Sequence, residues 1–312
     1  MKTSTEPPLH RHVLNGATMG TRYSATFYAP ANRDTAPIAN ALFAAVDRVD
    51  RQMSTWKPDS DLNRLNRASI GAWVEVPREL GQVLAEGLRI GRLSGGAFDM
   101  AVGDLVAKHG FGAMPGDPDP AASAARAGAS PVSAGGLLEL DHGHHRARRL
   151  GPVSLDLSGI AKGFGVDELA RALDRFEIPS WLVGIDGEMR AQGAKPDGEL
   201  WAIAVERPEP DRRAAMGVLA LTDVAVATSG SYRQFRDSAN GRISHTMDPK
   251  TGLPLNNKLV SVTVLAGTCM EADAMATTLL VMGEQRGPKM AQALGLNAIF
   301  VLEDGKVLSN LP

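Results

Sequence analysis

The chain has 312 residues, 44% of them apolar, which supports a substantial core in one large domain or two modest ones. With 33 basic against 35 acidic residues its net charge is −2, which argues against non-specific nucleic-acid binding and against a polybasic membrane anchor. No apolar run is long enough for a transmembrane segment or an export signal, so the chain as written reads as cytoplasmic, or as periplasmic where a signal has been removed.

Residues 1–15 read as a polar leader and 16–312 as a single domain. "TRYSATFYA" (21–29) alternates like a half-buried strand. Ile38, Ala41, Leu42, Ala45, Val46, Val49 and Met53 then recur at helical spacing. A second helix is expected over 79–93, stopped by Gly95-Gly96, and a third just beyond Asp99. Residues 112–135, rich in Gly, Pro, Ala and Ser, read as an internal excursion, because a strand pair, "LLELD" and "PVSLDL", follows at once. Between that pair lies "HGHHRARR", whose His142, His144 and His145 read as solvated residues of a basic hairpin tip.

The second half supplies strand-like runs at "SWLVGID", "LWAIAVER", "GVLALTDVAVATSG", "ISHTM" and "LVSVTVLA", with helices expected over 160–175, 271–282 and 285–294. Cys269, the single cysteine, reads as a buried small hydrophobe. Strands and helices mixed without strict βαβ alternation point to α+β with a largely antiparallel sheet.

Two stretches carry a chemical signal. In "DLSGIAKGFGVDELARAL" (156–173) a strand, a turn and a helix place Lys162 in a first helical turn, where a cation is unfavourable unless an anion binds. Neither the P-loop spacing nor G-x-G-x-x-G after a first strand is present. In "GTCMEADAMATTLLVMG" Thr268 and Glu271 fit a capping box, and Asp273 and Thr277 fall four apart on one helix face. A carboxylate and a hydroxyl there suit Mg²⁺, although an acid near a helix start also serves the helix dipole. "SGGAFDM" (94–100), "ATSGSYRQF" (227–235) and "SHTMDPKTGLPL" (244–255) are each compatible with a tight turn; His245 reads equally as a structural and as a catalytic histidine.

Taken in order, "MGTRYS", "MSTWKPDSDLNRLN", "GGAFD", "DLSGIAKGFGVD", "ATSG", "HTMDPKTG" and "EADAMATTLLVMG" resemble the motifs of the ApbE family of flavin transferases over nearly the whole chain. The resemblance implies a T-fold-like domain of two intertwined, mostly antiparallel sheet-and-helix halves, with FAD in the cleft between them. It implies Mg²⁺-dependent transfer of FMN from FAD to a threonine or serine hydroxyl of an acceptor flavoprotein, with release of AMP. It also implies FAD contacts at Met19, Trp56, Ala97, Phe98, Asp99, Asp156, Lys162 and Met247. Metal ligation falls to the Gly159 carbonyl with Asp273 and Thr277, and catalysis to His245. Where the family often carries a glycine pair and then an acid or amide, this chain reads Gly184-Ile185-Asp186-Gly187-Glu188. Two rival readings share the donor site: a FAD pyrophosphatase releasing FMN and AMP, separated by a product assay with an acceptor, and a non-catalytic flavin-binding protein, separated by whether FAD stays intact with Mg²⁺.

Overall fold

The computed structural model describes residues 8–112, 133–208, 214–231, 235–238 and 241–311. Its frame is one eight-stranded sheet, whose strands we number β1 (Leu9–Thr18), β2 (Thr21–Pro30), β3 (Trp181–Ile185), β4 (Glu188–Gln192), β5 (Val224–Gly230), β6 (Leu259–Ala266), β7 (Asn297–Leu302) and β8 (Val307–Ser309). They lie side by side in chain order, and every neighbouring pair is antiparallel. The period-2 reading of β2 holds: Tyr23, Ala25, Phe27 and Ala29 are buried, and the residues between them face outward.

The four helices longer than ten residues among the described residues are α1 (Ala36–Met53), α2 (Arg78–Leu93), α3 (Ala161–Asp174) and α4 (Cys269–Ala293). The sequence places all four within a few residues. Gly95 and Gly96 close α2 as expected: both have positive φ, and their N–H groups reach back to the Arg92 and Gly91 carbonyls, a Schellman stop. Helix α4 is broken at Gly283 (φ 75°), which accounts for the two separate helices expected there.

The two largest apolar cores among the described residues share the sheet. Phe27, Trp181 and Val183 pack with Ile38, Leu42 and Val46 of α1 and with Leu169 and Leu173 of α3. Leu80 and Leu84 of α2, Ala274, Met275 and Leu279 of α4, and Val262, Val264 and Phe300 of the sheet form the other. The mixed α+β architecture with antiparallel pairing agrees with the expectation, and α3 and α4 pack against each other along a seam where these cores adjoin.

Three expectations are corrected. Residues 9–15, read as leader, belong to β1, which pairs along its whole length with β2. "PVSLDL" is extended but joins no sheet, because its backbone bonds are taken elsewhere. The Asn66 side chain accepts from Leu155 N–H (2.8 Å) and donates to its carbonyl (2.9 Å), Arg149 donates to the Val153 carbonyl, and Asp156 N–H bonds Met100. Burial of Val153, Leu155 and Leu157 produces the strand-like alternation. The true partner of Leu138–Asp141 is Arg146–Arg149, so the hairpin tip shrinks to residues 142–145, where the His144 ring meets Asp141 at 3.0 Å. The third helix is a short one, Gly103–Lys108. Of the excursion at 112–135, residues 113–132 lie outside the described residues.

Candidate active site

The start of α3 and the first two turns of α4 approach so closely that a Cβ on Gly163 would collide with the Cys269 carbonyl oxygen and lie 2.7 Å from the Asp273 Cβ. Glycine is required there by space. Gly163 N–H donates to Asp273 Oδ2 (2.9 Å), and Asp273 is buried. One turn on, Thr277 Oγ1 shares a hydrogen bond with Ser229 Oγ on β5 (2.9 Å). Gly159, in the bend before α3, packs on the same group: a Cβ there would stand 3.2 Å from Thr277 Oγ1 and 3.4 Å from the Phe98 ring. Thus Gly159, Asp273 and Thr277 converge, with Phe98 beside them.

Lys162 completes the seam. Its Nζ pairs with Glu188 Oε1 at 2.7 Å, and Glu188 opens β4 at 2% exposure. Burial works against the Lys162 charge, but the Glu188 and Asp273 carboxylates more than offset it and hold its pKa above the ordinary lysine value. Burial and then repulsion from Glu188 push Asp273 up to about 7, against the pull of Lys162 and the Gly163 N–H. Burial likewise raises Glu188, with Lys162 opposing. These groups, one half-buried cation beside two buried carboxylates and within the field of Asp186, are under-neutralised.

Their donor chemistry fits a small hard cation. A carboxylate with a single hydrogen-bond donor and a hydroxyl one turn on, beside the Gly159 bend, offer oxygen donors of the kind Mg²⁺ prefers.

The remaining residues surround this seam at different depths. Met19 and Gly20 form the β1–β2 turn with φ of 46° and 71°. A two-residue hairpin turn of this kind suits Asn or Gly at its first position, so a methionine held there is strained. The Met19 methyl packs at Gly165 of α3, 2.9 Å from where a Cβ would stand. Asp156 is buried, and its carboxylate accepts from Ser158 N–H (2.7 Å), fixing the bend before Gly159.

Ala97 and Phe98 are buried; Asp99 accepts from the Ala101 and Ala134 N–H groups and from the Ser133 hydroxyl, fastening its loop to the far side of the excursion. Met247 is buried in the hairpin made with Leu253–Pro254, whose turn brings Lys250 over Gly96. A cavity of about 470 Å³ lies between them, lined by Gly87, Gly91, Phe98, Asp99, Ser133 and Lys250. His245 meets the Phe111 ring edge-on at 6.3 Å between centroids. Trp56 stands apart, 67% exposed, on a loop held by Asn63, whose amide donates to the Thr55 and Lys57 carbonyls at 2.9 Å.

A model of the ApbE family matches residues 19–300. The chain belongs to that family. Among curated relatives it is 36% identical to a FAD:protein FMN transferase of Vibrio cholerae, covering 96% of this chain and 89% of that protein. It is 31% identical to one of Escherichia coli K12, over 94% and 84% of the two chains. Among solved structures it matches the flavin transferase ApbE from Vibrio cholerae with a TM-score of 0.83 at 36% identity, covering 97% of each chain. It matches the Pseudomonas stutzeri flavinyl transferase ApbE, apo form, with the same TM-score at 30% identity, over 96% and 95%.

Several residues of this ApbE chain escape sequence reasoning. Asp167, 1% exposed, accepts from the Cys269 and Met270 N–H groups at 3.0 Å each and pairs with Arg190 at 2.7 Å, so it clamps the start of α4 to α3. The cap read from the sequence at Thr268 is present beside it, Thr268 accepting from Glu271 N–H at 3.3 Å, while the Glu271 side chain meets Arg89. Asn63, Asn66 and Ser229 lie within the quoted motifs without a role attached to them, and Glu188 lies in the departure noted after β3. Cys269 is fully buried, and its thiol points at the Met189 and Val226 carbonyls.

Proposed function

We propose that this chain transfers FMN from FAD to a threonine or serine hydroxyl of an acceptor flavoprotein. The observation that carries this reading is the α3–α4 seam, where Lys162, Asp273 and Thr277 stand together at a glycine-tight bend. Family membership supports the donor and the reaction class. In the reaction the hydroxyl oxygen attacks the FMN-side phosphorus of the pyrophosphate. A new P–O bond forms as the bond to the AMP oxygen breaks, and AMP leaves with the electron pair.

Asp273, Thr277 and the Gly159 carbonyl would hold Mg²⁺, which supplies positive charge beside the pyrophosphate. The Lys162 ammonium has three donors, so one spent on Glu188 leaves two for phosphate oxygens. An imidazole nitrogen of His245 takes the hydroxyl proton. The buried Phe98 ring shields one side of the bend, the cavity beside it offers room for part of the donor, and the exposed Trp56 face stacks on an aromatic ring of the donor.

The test is mass spectrometry of a candidate acceptor incubated with the protein, FAD and Mg²⁺. A gain of one FMN moiety, lost when the acceptor threonine is replaced and lost with His245→Ala, is the expected result. Free FMN and AMP without a gain would make the chain a pyrophosphatase, and intact FAD a binding protein.

A further inference from the structure

Glu188 is the buried acid that the reaction leaves without a task. Lys162 supplies its Oε1 with a partner, whereas Oε2 is buried with none among the described residues. Three carboxylates act on the Lys162 ammonium, Glu188 and Asp273 more strongly than Asp186, and the residue after it already donates its N–H to Asp273. An ammonium bonds Glu188 or Asp273 equally well. What separates the two is direction: Glu188 enters from β4 and draws Nζ to the sheet side, while Asp273 stands on α4.

We propose that Glu188 is a positioning residue that keeps the Lys162 ammonium off Asp273, so that this carboxylate stays open to a divalent cation. The inference rests on the reading of Asp273 and Thr277 as cation ligands. Its physics is competition. A charge-assisted hydrogen bond from Lys162 to the buried Asp273 would have to be broken before a cation could bind, and the apparent affinity would fall with the fraction of chains left open. Pinned to Glu188, Lys162 remains charged and keeps two donors free for phosphate oxygens.

The experiment is calorimetric titration of the full chain with Mg²⁺ alone, without FAD. Glu188→Gln is expected to weaken binding about 10- to 100-fold, the range over which partners of metal ligands act. Adding Lys162→Met to that variant removes the competitor and is expected to restore affinity to within about threefold of wild type. A purely structural role would not be rescued in this way. Should Glu188→Gln fail to fold, Glu188→Asp, whose shorter side chain loosens the same pair, replaces it, with a smaller loss and the same rescue.

Wild-type affinity in Glu188→Gln, or a loss that Lys162→Met does not recover, overturns the inference. If Asp273→Ala binds Mg²⁺ as wild type does, the cation reading itself fails and the inference with it; that arm tells the two failures apart.

Discussion

The first and second turns of α4 treat buried carboxylates in opposite ways. At the first turn Asp167 has both oxygens satisfied, by two N–H groups of the helix start and by Arg190. At the second turn Asp273 has one N–H, and across the seam Glu188 keeps an orphaned oxygen. Both acids are almost fully buried, so burial alone does not distinguish them. The difference lies in satisfaction: a buried carboxylate with donors on both oxygens holds two helices together, whereas one left short of donors is pushed toward its protonated form and keeps acceptor capacity for a cation.

Substitutions at the two turns should therefore fail differently. Asp273→Ala is expected to lower FMN transfer about 100-fold or more, read by acceptor mass, while the thermal midpoint does not fall, since an under-partnered acid is removed from the seam. Asp167→Ala is expected to do the reverse. It leaves Arg190 and the helix start unpaired and should cost about 3–5 kcal/mol in denaturant unfolding. An Asp167→Ala variant of undiminished stability would erase the distinction.

Acidity separates the turns next. Because the Asp273 pKa is raised from 3.8 to about 7, its proton competes with the cation, and Mg²⁺ affinity should fall about tenfold per pH unit below 7, as followed by calorimetry. In the cation-free fold the sign is opposite. The unfolded chain ionises Asp273 near 3.8 and the folded chain only near 7, so this group's contribution to stability is full below pH 3.8 and is lost as pH rises to about 7. Saturating Mg²⁺ should flatten that decline in a thermal-shift series. The smallest effect belongs to the rim. Trp56→Ala should leave stability within about 0.5 kcal/mol and raise the FAD KM several-fold, since its ring touches mainly solvent.

What the sequence reveals follows the range of each interaction. Helices α1 to α3, strand β2 and the break in α4 are legible because apolar spacing and glycine punctuation are local. Asp273 and Thr277 are legible as a pair because one helical turn separates them. Asp167 is not, since the N–H groups it receives lie 102 and 103 residues further along the chain. The segment before Asp156 misleads for the same reason: its alternation is genuine, but Asn66, 89 residues earlier, takes the place of a neighbouring strand. Glu188 carries a visible signal only as a departure from the expected glycine pair.

Strand order has a consequence for time. Among the pairings of the eight-stranded sheet, β2 with β3 spans the most chain: Thr26 sits opposite Leu182 across a long detour that includes α1, α2 and α3. Closing a loop of that length adds little to the final free energy but delays its formation. Lys162 lies inside the detour and Asp273 outside it. A refolding chain that has assembled only its C-terminal strands would therefore hold Asp273 in place before Lys162, and the proposed site would be completed after that long-range pairing.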